Sequence, residues 1–356
     1  MNIIEILKKL VSFNTIADKE NILIMNYIKN YLEKYNFNCE LVGNEKKLLI
    51  ARTKNKPIIG FVGHTDTVNY SSTFGSNPFE LKEENGNLYG LGVCDMKGGI
   101  AAVLKAISEI DFSKYSNGMM IVLTYDEEIA FTGIKKFLEL NYEYPEYLIV
   151  GEPTNNVPMN GSKGAIEYIF DFNGKKAHSS MITQSSNIEC VKFLNELLKL
   201  NSYFQRRKCD EYKFKYSTMN YGIINGGERA NIVSSHTRAT CDFRITKSIE
   251  EYNYVKKYVD KLSSKYDMKK TIGMDFLPFY NDSDFVTLCE EITGNKRGKF
   301  FGLSEASTLK GNRIILGPGP ITAHEDKEHI SVKMLEKTFR VYKDIIEEVL
   351  KRNEKR

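Results

Sequence analysis

The sequence predicts an α/β protein in which a mainly parallel sheet is interrupted by an inserted ferredoxin-like α+β domain, and two patterns support this fold class. In the first half of the chain, helical patterns alternate with short runs that are apolar at nearly every position. Such runs are typical of parallel strands that helices cover on both faces. After Gly164, apolar and polar residues alternate instead, which is typical of half-buried strands.

The first half and the end of the chain supply the elements of the larger predicted domain. Its predicted strands are KLLIAR (47–52), PIIGFVG (57–63), MMIVLTY (119–125), EYLIVG (146–151) and RIILGPG (313–319). Its predicted helices are MKGGIAAVLKAISEI (96–110), AFTGIKKFLEL (130–140) and a final helix from about Ser331 onward.

The middle of the chain predicts a separate, smaller domain. Its order of strand, helix, strand, strand, helix, strand is that of a split βαβ, ferredoxin-like unit. The predicted strands are AIEYIFDFNG, YGIING, ATCDFRI and KKTIGMDFL, and the predicted helices are residues 185–200 and 248–266. We therefore expect a larger domain of residues 1–161 and 277–356, interrupted by a smaller domain of residues 162–276.

Composition and charge exclude several classes of protein. The 356 residues are 42% hydrophobic and 27% charged, as in an ordinary globular protein, and contain no apolar stretch long enough to span a bilayer. The net charge of +4, with no basic stripe, argues against a nucleic-acid partner. The six scattered cysteines form no CxxC pair, which excludes a thiolate zinc cluster. Charges within the opening run MNIIEILKKLVSF predict an amphipathic helix rather than a signal peptide, so we expect a cytoplasmic protein.

Polar side chains follow the predicted strands at the edge of the sheet where loops of parallel strands converge. Imidazole and carboxylate groups together are ligands that suit zinc, cobalt or manganese. The sequence therefore predicts a divalent metal site built from strand ends. The candidates are His64, Asp66, Asp95, Asp126, Glu127, Glu128, Glu152 and His324.

Each of these features has an ordinary structural explanation when it is taken alone. A His-x-Asp sequence after a strand is often a surface turn, a pair of glutamates is often solvated, and Glu152 before Pro153 fits a common turn. The coincidence of five such strand ends favours the metal site. Asp95 is the candidate bridge, because a shared carboxylate can hold two ions about 3.5 to 4 Å apart. Asp66 is expected to accept the second N–H of His64 and fix its tautomer.

The motifs GHTDTV, GVCDMKGG, YDEE, GEPT and AHEDKEHI occur in this order and resemble those of the M20 family of co-catalytic metallopeptidases and deacylases. The resemblance covers essentially the full length of the chain. It implies two divalent metal ions, with zinc as the leading candidate and cobalt or manganese as alternatives. It also implies that residues 1–161 and 277–356 form a catalytic metal-binding domain, that residues 162–276 form a dimerisation or lid domain, and that the protein is a homodimer.

The resemblance assigns roles to individual residues. It makes His64, Asp95 and Glu152 ligands of one metal ion, and Asp95, Glu128 and His324 ligands of the other. It makes Glu127 the general base and the peptide bond after Asp95 cis. His178, in GKKAHSS, is expected to reach into the active site of the second subunit. The expected substrate-binding residues are Asn231, Arg244, Ser304 and Glu305, although an arginine on a strand is by default a surface ion-pair partner.

The reaction that this resemblance implies is hydrolysis of a linear amide, removing an N-acyl group from a small amino acid. The segments GPGPITAHEDKEHI and GKKAHSS resemble the acetylornithine deacetylase branch of the family. Succinyl-diaminopimelate desuccinylase, dipeptidase and carboxypeptidase activities are alternatives, and the substrate is then a small N-acyl amino acid or a dipeptide. A non-catalytic binding relative is disfavoured because Glu127 and all five ligands are present. No nucleic-acid or membrane partner is expected.

Overall fold

The computed structural model describes residues 1–72, 74–75, 77–143, 145–181, 183–246 and 248–354. The helices are α1 (Ile3–Val11), α2 (Ile22–Glu33), α3 (Gly98–Ile107), α4 (Thr132–Glu139), α5 (Ser186–Leu197), α6 (Lys199–Phe204), α7 (Ile249–Ser263), α8 (Asp284–Thr293) and α9 (Val332–Asn353). The strands are β1 (Asn38–Val42), β2 (Leu48–Arg52), β3 (Pro57–His64), β4 (Lys82–Glu84), β5 (Asn87–Tyr89), β6 (Gly118–Thr124), β7 (Tyr147–Val150), β8 (Met159–Ser162), β9 (Gly164–Asn173), β10 (Ala177–His178), β11 (Thr218–Gly226), β12 (Ile232–Val233), β13 (His236–Ile245), β14 (Met268–Phe276), β15 (Phe279–Tyr280), β16 (Gly298–Phe300), β17 (Asn312–Ile315) and β18 (His329–Ser331).

The chain divides into two compact units. Unit 1 comprises Met1–Asn160, Asn281–Phe300 and Ser304–Arg356, and unit 2 comprises Gly161–Tyr280 and Phe301–Leu303. Unit 2 is thus inserted between segments of unit 1 along the chain. Among the described residues, no helix combines the length and the apolar character that crossing a membrane requires.

The central sheet of unit 1 has the strand order β1-β2-β6-β3-β7-β17. Its inner strands β6, β3, β7 and β17 run parallel, while β1 and β2 are antiparallel at one side. The parallel strands are the apolar runs of the sequence, so the predicted mixed α/β fold with a mainly parallel sheet is confirmed. The register pairs His64 with Thr124 and Val62 with Val150, which brings the carboxyl ends of these strands to one edge.

Helices bury the faces of this sheet. Helices α1, α3 and α9 pack together, and α9 also contacts β3. Helix α1 begins with a capping box in which Asn2 and Glu5 satisfy each other's backbone amides. At α9 the Ser331 side chain accepts the amide N–H of Met334, so the helix begins directly after β18. The turns that follow β3, β6 and β7 are therefore held on a rigid scaffold.

Unit 2 contains an antiparallel sheet with the strand order β11-β13-β9-β14. Its chain order of β9, α5, β11, β13, α7 and β14 is that of a ferredoxin-like unit. The core is rich in aromatic rings. The ring centroid of Phe193 lies 4.7 Å from that of Phe170 and 5.4 Å from that of Tyr266. The chain enters and leaves the unit through paired strands, in which Gly161 faces Tyr280.

Gly99, near the start of α3, allows this helix to approach the end of β7. A Cβ atom at this position would lie 2.4 Å from the carbonyl oxygen of Gly151, which is closer than real Cβ contacts. The turn before α3 carries Asp95 and the residue after Gly151 is Glu152. Glycine at this position therefore sets the spacing between the segments that present two candidate ligands.

Gly99→Ala should lower the free energy of unfolding by about 1 to 3 kcal/mol, because the new methyl group must displace backbone. This loss should outweigh the gain in helix propensity of about 1 kcal/mol. Urea denaturation measures the change. Gly75→Ala is the control, since a Cβ there meets no atom of the described residues within 4 Å. Equal stability of the two variants would show that the close approach does not constrain the fold.

Candidate metal centre

His64 lies at the end of β3 and is fully buried. Its Nε2 atom is 3.1 Å from Asp95 Oδ1 and 3.8 Å from Glu152 Oε1. Its Nδ1 atom is 3.0 Å from the backbone carbonyl oxygen of Asp66 and 3.5 Å from the carboxylate Oδ1 of that residue. The carbonyl of Asp66, rather than its side chain, is thus the nearer acceptor that can fix the imidazole tautomer.

Asp95 lies in an irregular helical turn, Val93–Lys97, between β5 and α3. Its Oδ1 atom faces His64, and its Oδ2 atom is 3.6 Å from Nε2 of His324. The peptide bond between Asp95 and Met96 is cis. The two oxygens of one carboxylate therefore face two different imidazoles, which is the arrangement that a bridging ligand requires.

His324 and Glu128 form the other side of the cluster. His324 Nε2 is 3.1 Å from Glu128 Oε2, and the amide N–H of Glu128 donates to Asp66 Oδ2 over 3.3 Å. The His324 side chain is about half exposed, whereas Asp95 and Glu128 are mostly covered. The cluster is thus open to solvent on the His324 side.

Within the part of the chain that the structure describes, two groups of ligand atoms are compact enough to surround a metal ion. One contains His64, Glu127 and Glu152, and the other contains His64, Asp95 and Glu128. Within each group, one ligand atom from every residue lies within 4.8 Å of the others. Glu127 therefore lies beside the candidate ligands.

The cluster concentrates negative charge in a buried place. Burial, together with the neighbouring Glu305 and other carboxylates, raises the pKa of Glu127 well above its usual range. Burial and the nearby Asp95 carboxylate do the same for the pKa of Glu152. Burial opposes the charged form of His64, yet the Asp66 and Asp95 carboxylates hold its pKa well above the usual value. The carboxylates outnumber the imidazoles, so the charges are not balanced within the cluster.

The residues present fit a pair of divalent cations. Imidazole nitrogen and carboxylate oxygen are the ligand types that zinc, cobalt and manganese accept. Asp66 Oδ1 and Glu305 Oε2 are buried and have no hydrogen-bond partner among the residues that the structure describes, as expected where positive charge is needed. Divalent cations would offset the carboxylate charge that, together with burial, raises the pKa values of Glu127 and Glu152.

Three further ionisable groups lie around the cluster, and the sequence predicted a metal-site role for none of them. Glu328 is buried and accepts backbone N–H groups from the turn that carries Asp95, while burial raises its pKa to about 7. Lys97 is fully buried, donates to the carbonyl oxygen of Phe13, and has its pKa lowered to about 7 by burial. Glu305 accepts a hydrogen bond from the hydroxyl of Thr124, at the end of β6. The signal that could have identified Glu328 is its position four residues after His324, just before β18.

Ser304 and Glu305, expected to bind substrate, are both fully buried in unit 1. The Ser304 hydroxyl oxygen accepts the amide N–H of Ala306 over 3.3 Å and so begins the short turn Glu305–Ser307. Burial, with the Asp66 and Asp95 carboxylates, raises the pKa of Glu305 to about 7. Glu305 thus contributes to the electrostatics of the carboxylate cluster rather than to an exposed surface.

The other expected residues lie in unit 2. His178 is exposed and its Nδ1 atom is 2.8 Å from the hydroxyl of Ser180. The next residue, Ser179, donates its amide N–H to the carbonyl oxygen of Asn231, so unit 2 brings Asn231 beside His178. Arg244 instead makes an ion pair of 2.9 Å with Asp242 on its own strand. This is the default role that the sequence left open for a strand arginine.

Comparisons with known proteins agree with the motifs. The family model described as peptidase family M20/M25/M40 matches residues 60–348. The chain is 26% identical over 372 residues to the acetylornithine deacetylase of Proteus mirabilis (strain HI4320), covering 97% of this chain and 96% of the relative.

Solved structures resemble the fold over the whole chain. A tripeptidase from Staphylococcus aureus subsp. aureus Mu50 matches with a TM-score of 0.79 and 19% identity, over 98% of each chain. A dinuclear metal-binding peptidase of the M20 family from Bacillus subtilis matches with a TM-score of 0.70 and 13% identity, also over 98% of each chain.

The stability of the metal-free protein should fall as the pH rises. Burial raises the pKa of Glu305 from 4.5 to about 7, and hydrogen bonding to Glu128 raises that of His324 from 6.5 to about 9. Both groups therefore hold more protons in the folded chain than in the unfolded chain, so the free energy of unfolding decreases as the pH rises from about 4.5 to about 7. Above about pH 7 the buried Lys97, whose pKa is lowered to about 7, holds fewer protons in the folded chain and opposes the further decrease. Asp95, whose pKa is lowered, titrates below this range.

Zinc should displace these protons, so its stabilising effect should grow over the same pH range. Thermal unfolding with zinc and with a chelator, from about pH 5 to about pH 9, measures the difference in Tm. The variant His64→Ala is the control and should show little zinc effect. A zinc-induced shift in Tm that stays constant over this pH range would contradict the expectation that zinc displaces these protons.

Proposed function

The chain belongs to peptidase family M20/M25/M40 and is a metallohydrolase, and on that premise we propose that it is a dinuclear amidohydrolase that removes an N-acyl group from a small amino acid. Within this class we propose acetylornithine deacetylase as the specific activity. The relative with that name aligns over nearly the whole of both chains, which supports the proposal. The proposed ligands are His64, Asp95 and Glu152 for one ion and Asp95, Glu128 and His324 for the other.

One observation carries the proposal: the two carboxylate oxygens of Asp95 face His64 and His324 at 3.1 and 3.6 Å. A site for a single ion would not need one carboxylate between two imidazoles. The name of the Bacillus subtilis structure, which describes that protein as dinuclear and metal-binding, is consistent with this arrangement. Zinc is the proposed metal, because the donors are imidazoles and carboxylates.

Bound divalent ions would supply Lewis-acid chemistry, polarising the amide carbonyl and acidifying water. Glu127 is the proposed general base, because it lies in the same compact group as His64 and Glu152. Its pKa is raised well above that of an ordinary glutamate by burial and by Glu305. A raised pKa makes a carboxylate a stronger base.

The proton transfers then follow from the position of Glu127. Its carboxylate takes a proton from the attacking water as the oxygen bonds to the amide carbon. It delivers that proton to the leaving nitrogen as the carbon–nitrogen bond breaks. The products are a carboxylic acid and an amine, which become a carboxylate and an ammonium group once the acid proton passes to the amine, and Glu127 ends in its starting state. Asp66 orients His64 through its carbonyl oxygen and holds the amide of Glu128 through its carboxylate.

Other proposed features rest on the resemblance of the sequence to its family. We propose that His178 donates a hydrogen bond to the oxyanion in the active site of the second chain of a homodimer. Asn231 is a proposed substrate contact, supported by its position beside His178 within unit 2. Arg244 is a weaker candidate for a substrate carboxylate, because binding would have to compete with its ion pair to Asp242.

Glu127→Gln should lower kcat for amide hydrolysis by about 10²- to 10⁴-fold, because glutamine cannot accept the proton. Metal stoichiometry should remain that of the wild type. The assay uses metal-free protein reloaded with zinc, cobalt or manganese and offered acetylornithine, succinyl-diaminopimelate and several dipeptides.

The matched control is Glu139→Gln, which makes the same chemical change at an exposed site on α4 and should retain full activity. If acetylornithine is hydrolysed fastest, the result supports acetylornithine deacetylase activity. If a dipeptide is hydrolysed fastest, the proposed activity would be wrong and the protein would be a peptidase. Undiminished hydrolysis by Glu127→Gln would remove Glu127 from the mechanism.

A further inference from the structure

A single buried carboxylate holds the backbone of the turn that presents Asp95. Glu328 Oε2 accepts the amide N–H of Gly92 over 2.7 Å. Glu328 Oε1 accepts the amide N–H of Cys94 over 2.8 Å and that of Asp95 over 3.1 Å. Both oxygens are therefore used, and both bind main chain that is more than 230 positions away in the sequence.

The turn needs an external acceptor because its backbone is irregular. Gly92 has a left-handed φ of 76°, and Asp95 and Met96 have backbone angles outside the helical range. The regular helix α3 begins only at Gly98. The amides of Gly92, Cys94 and Asp95 point to Glu328, and buried amides without an acceptor would be costly.

The sheet register delivers Glu328 to this position. The next residue, His329, begins β18 and pairs with Tyr89 of β5, and their rings stack with centroids 5.1 Å apart. The amide N–H of Gly90 also donates to the carbonyl oxygen of Glu328. Strand β5 leads directly into the turn, so its pairing with β18 fixes the carboxylate beside the amides.

We propose that Glu328 is a positioning residue that sets the orientation of Asp95 between the two imidazoles, an inference that rests on the metal centre proposed above. The segment from His324 to Glu328 then has two roles: His324 is a ligand, and Glu328 fixes the backbone of the bridging ligand. A carboxylate suits this role, since two oxygens with no hydrogen can accept from three amides. Glutamine would place an NH₂ group against at least one amide N–H.

Glu328→Gln should weaken zinc binding by about 10- to 100-fold, as is typical when the support of a metal ligand is lost. The cobalt-loaded variant should show an altered visible absorption spectrum, because the oxygens of Asp95 change their geometry. Calorimetric titration of the metal-free protein with zinc alone gives the affinity and the stoichiometry. Glu328→Asp, which keeps the charge with a shorter reach, should bind zinc with intermediate affinity.

Glu251→Gln is the matched control, since Glu251 is also buried and accepts hydrogen bonds from Ser217 and Thr246, but in unit 2. It should leave zinc affinity and the cobalt spectrum unchanged. Wild-type zinc affinity and an unchanged spectrum in Glu328→Gln would overturn the positioning role, as would failure of both Glu328 variants to fold without metal. If the wild-type chain itself bound no zinc, the metal centre would fail instead, so the two failures are distinguishable.

Discussion

The crowding of carboxylates around two imidazoles at the edge of the parallel sheet is the constraint on which the rest of the site depends. Five carboxylates from four separate strand ends or turns converge on His64 and His324: Asp66, Asp95, the adjacent Glu127 and Glu128, and Glu152. Burial, reinforced by repulsion from neighbouring carboxylates, raises the pKa of Glu127, Glu128 and Glu152. Such an arrangement is stable only if protons or cations compensate the charge. Burial and the same crowding raise the pKa of Glu127, which makes its carboxylate a stronger base.

The scaffold opposes this repulsion with rigid backbone rather than with flexible side chains. Four parallel strands fix the starting points of the turns, and Gly99 allows α3 to lie close to the end of β7. Glu328 holds the amides of the turn before α3, and the buried Lys97 lies near enough for the Glu328 and Asp66 carboxylates to favour its charged form. The ligand positions are therefore set largely before any ion binds, which reduces the reorganisation that metal binding requires.

The sequence predicted the elements that have a strong local signal. Fully apolar runs identified β3, β6 and β7, and the rule that ligands follow such strands selected a set of residues that the structure brings together, from His64 to His324. The rule also selected Asp126, which instead forms an ion pair with Lys46. Glu328 was missed because its partners are backbone amides distant in sequence, and the one sequence signal that points to it is its position four residues after His324. The burial of Glu305 was missed for a similar reason, since it depends on contact with Thr124 of β6. The ion pair of Arg244 with Asp242 was visible as an i, i+2 pair on one strand, but its formation depends on tertiary context.

A crystal structure of the zinc-soaked protein would show whether Asp95 bridges two metal ions. An anomalous difference map recorded at the zinc edge locates each ion independently of the protein model. If Asp95 bridges the ions, the map should contain two peaks about 3.5 to 4 Å apart, one near each oxygen of Asp95. A single peak, or two peaks of which only one contacts Asp95, would contradict the bridging arrangement.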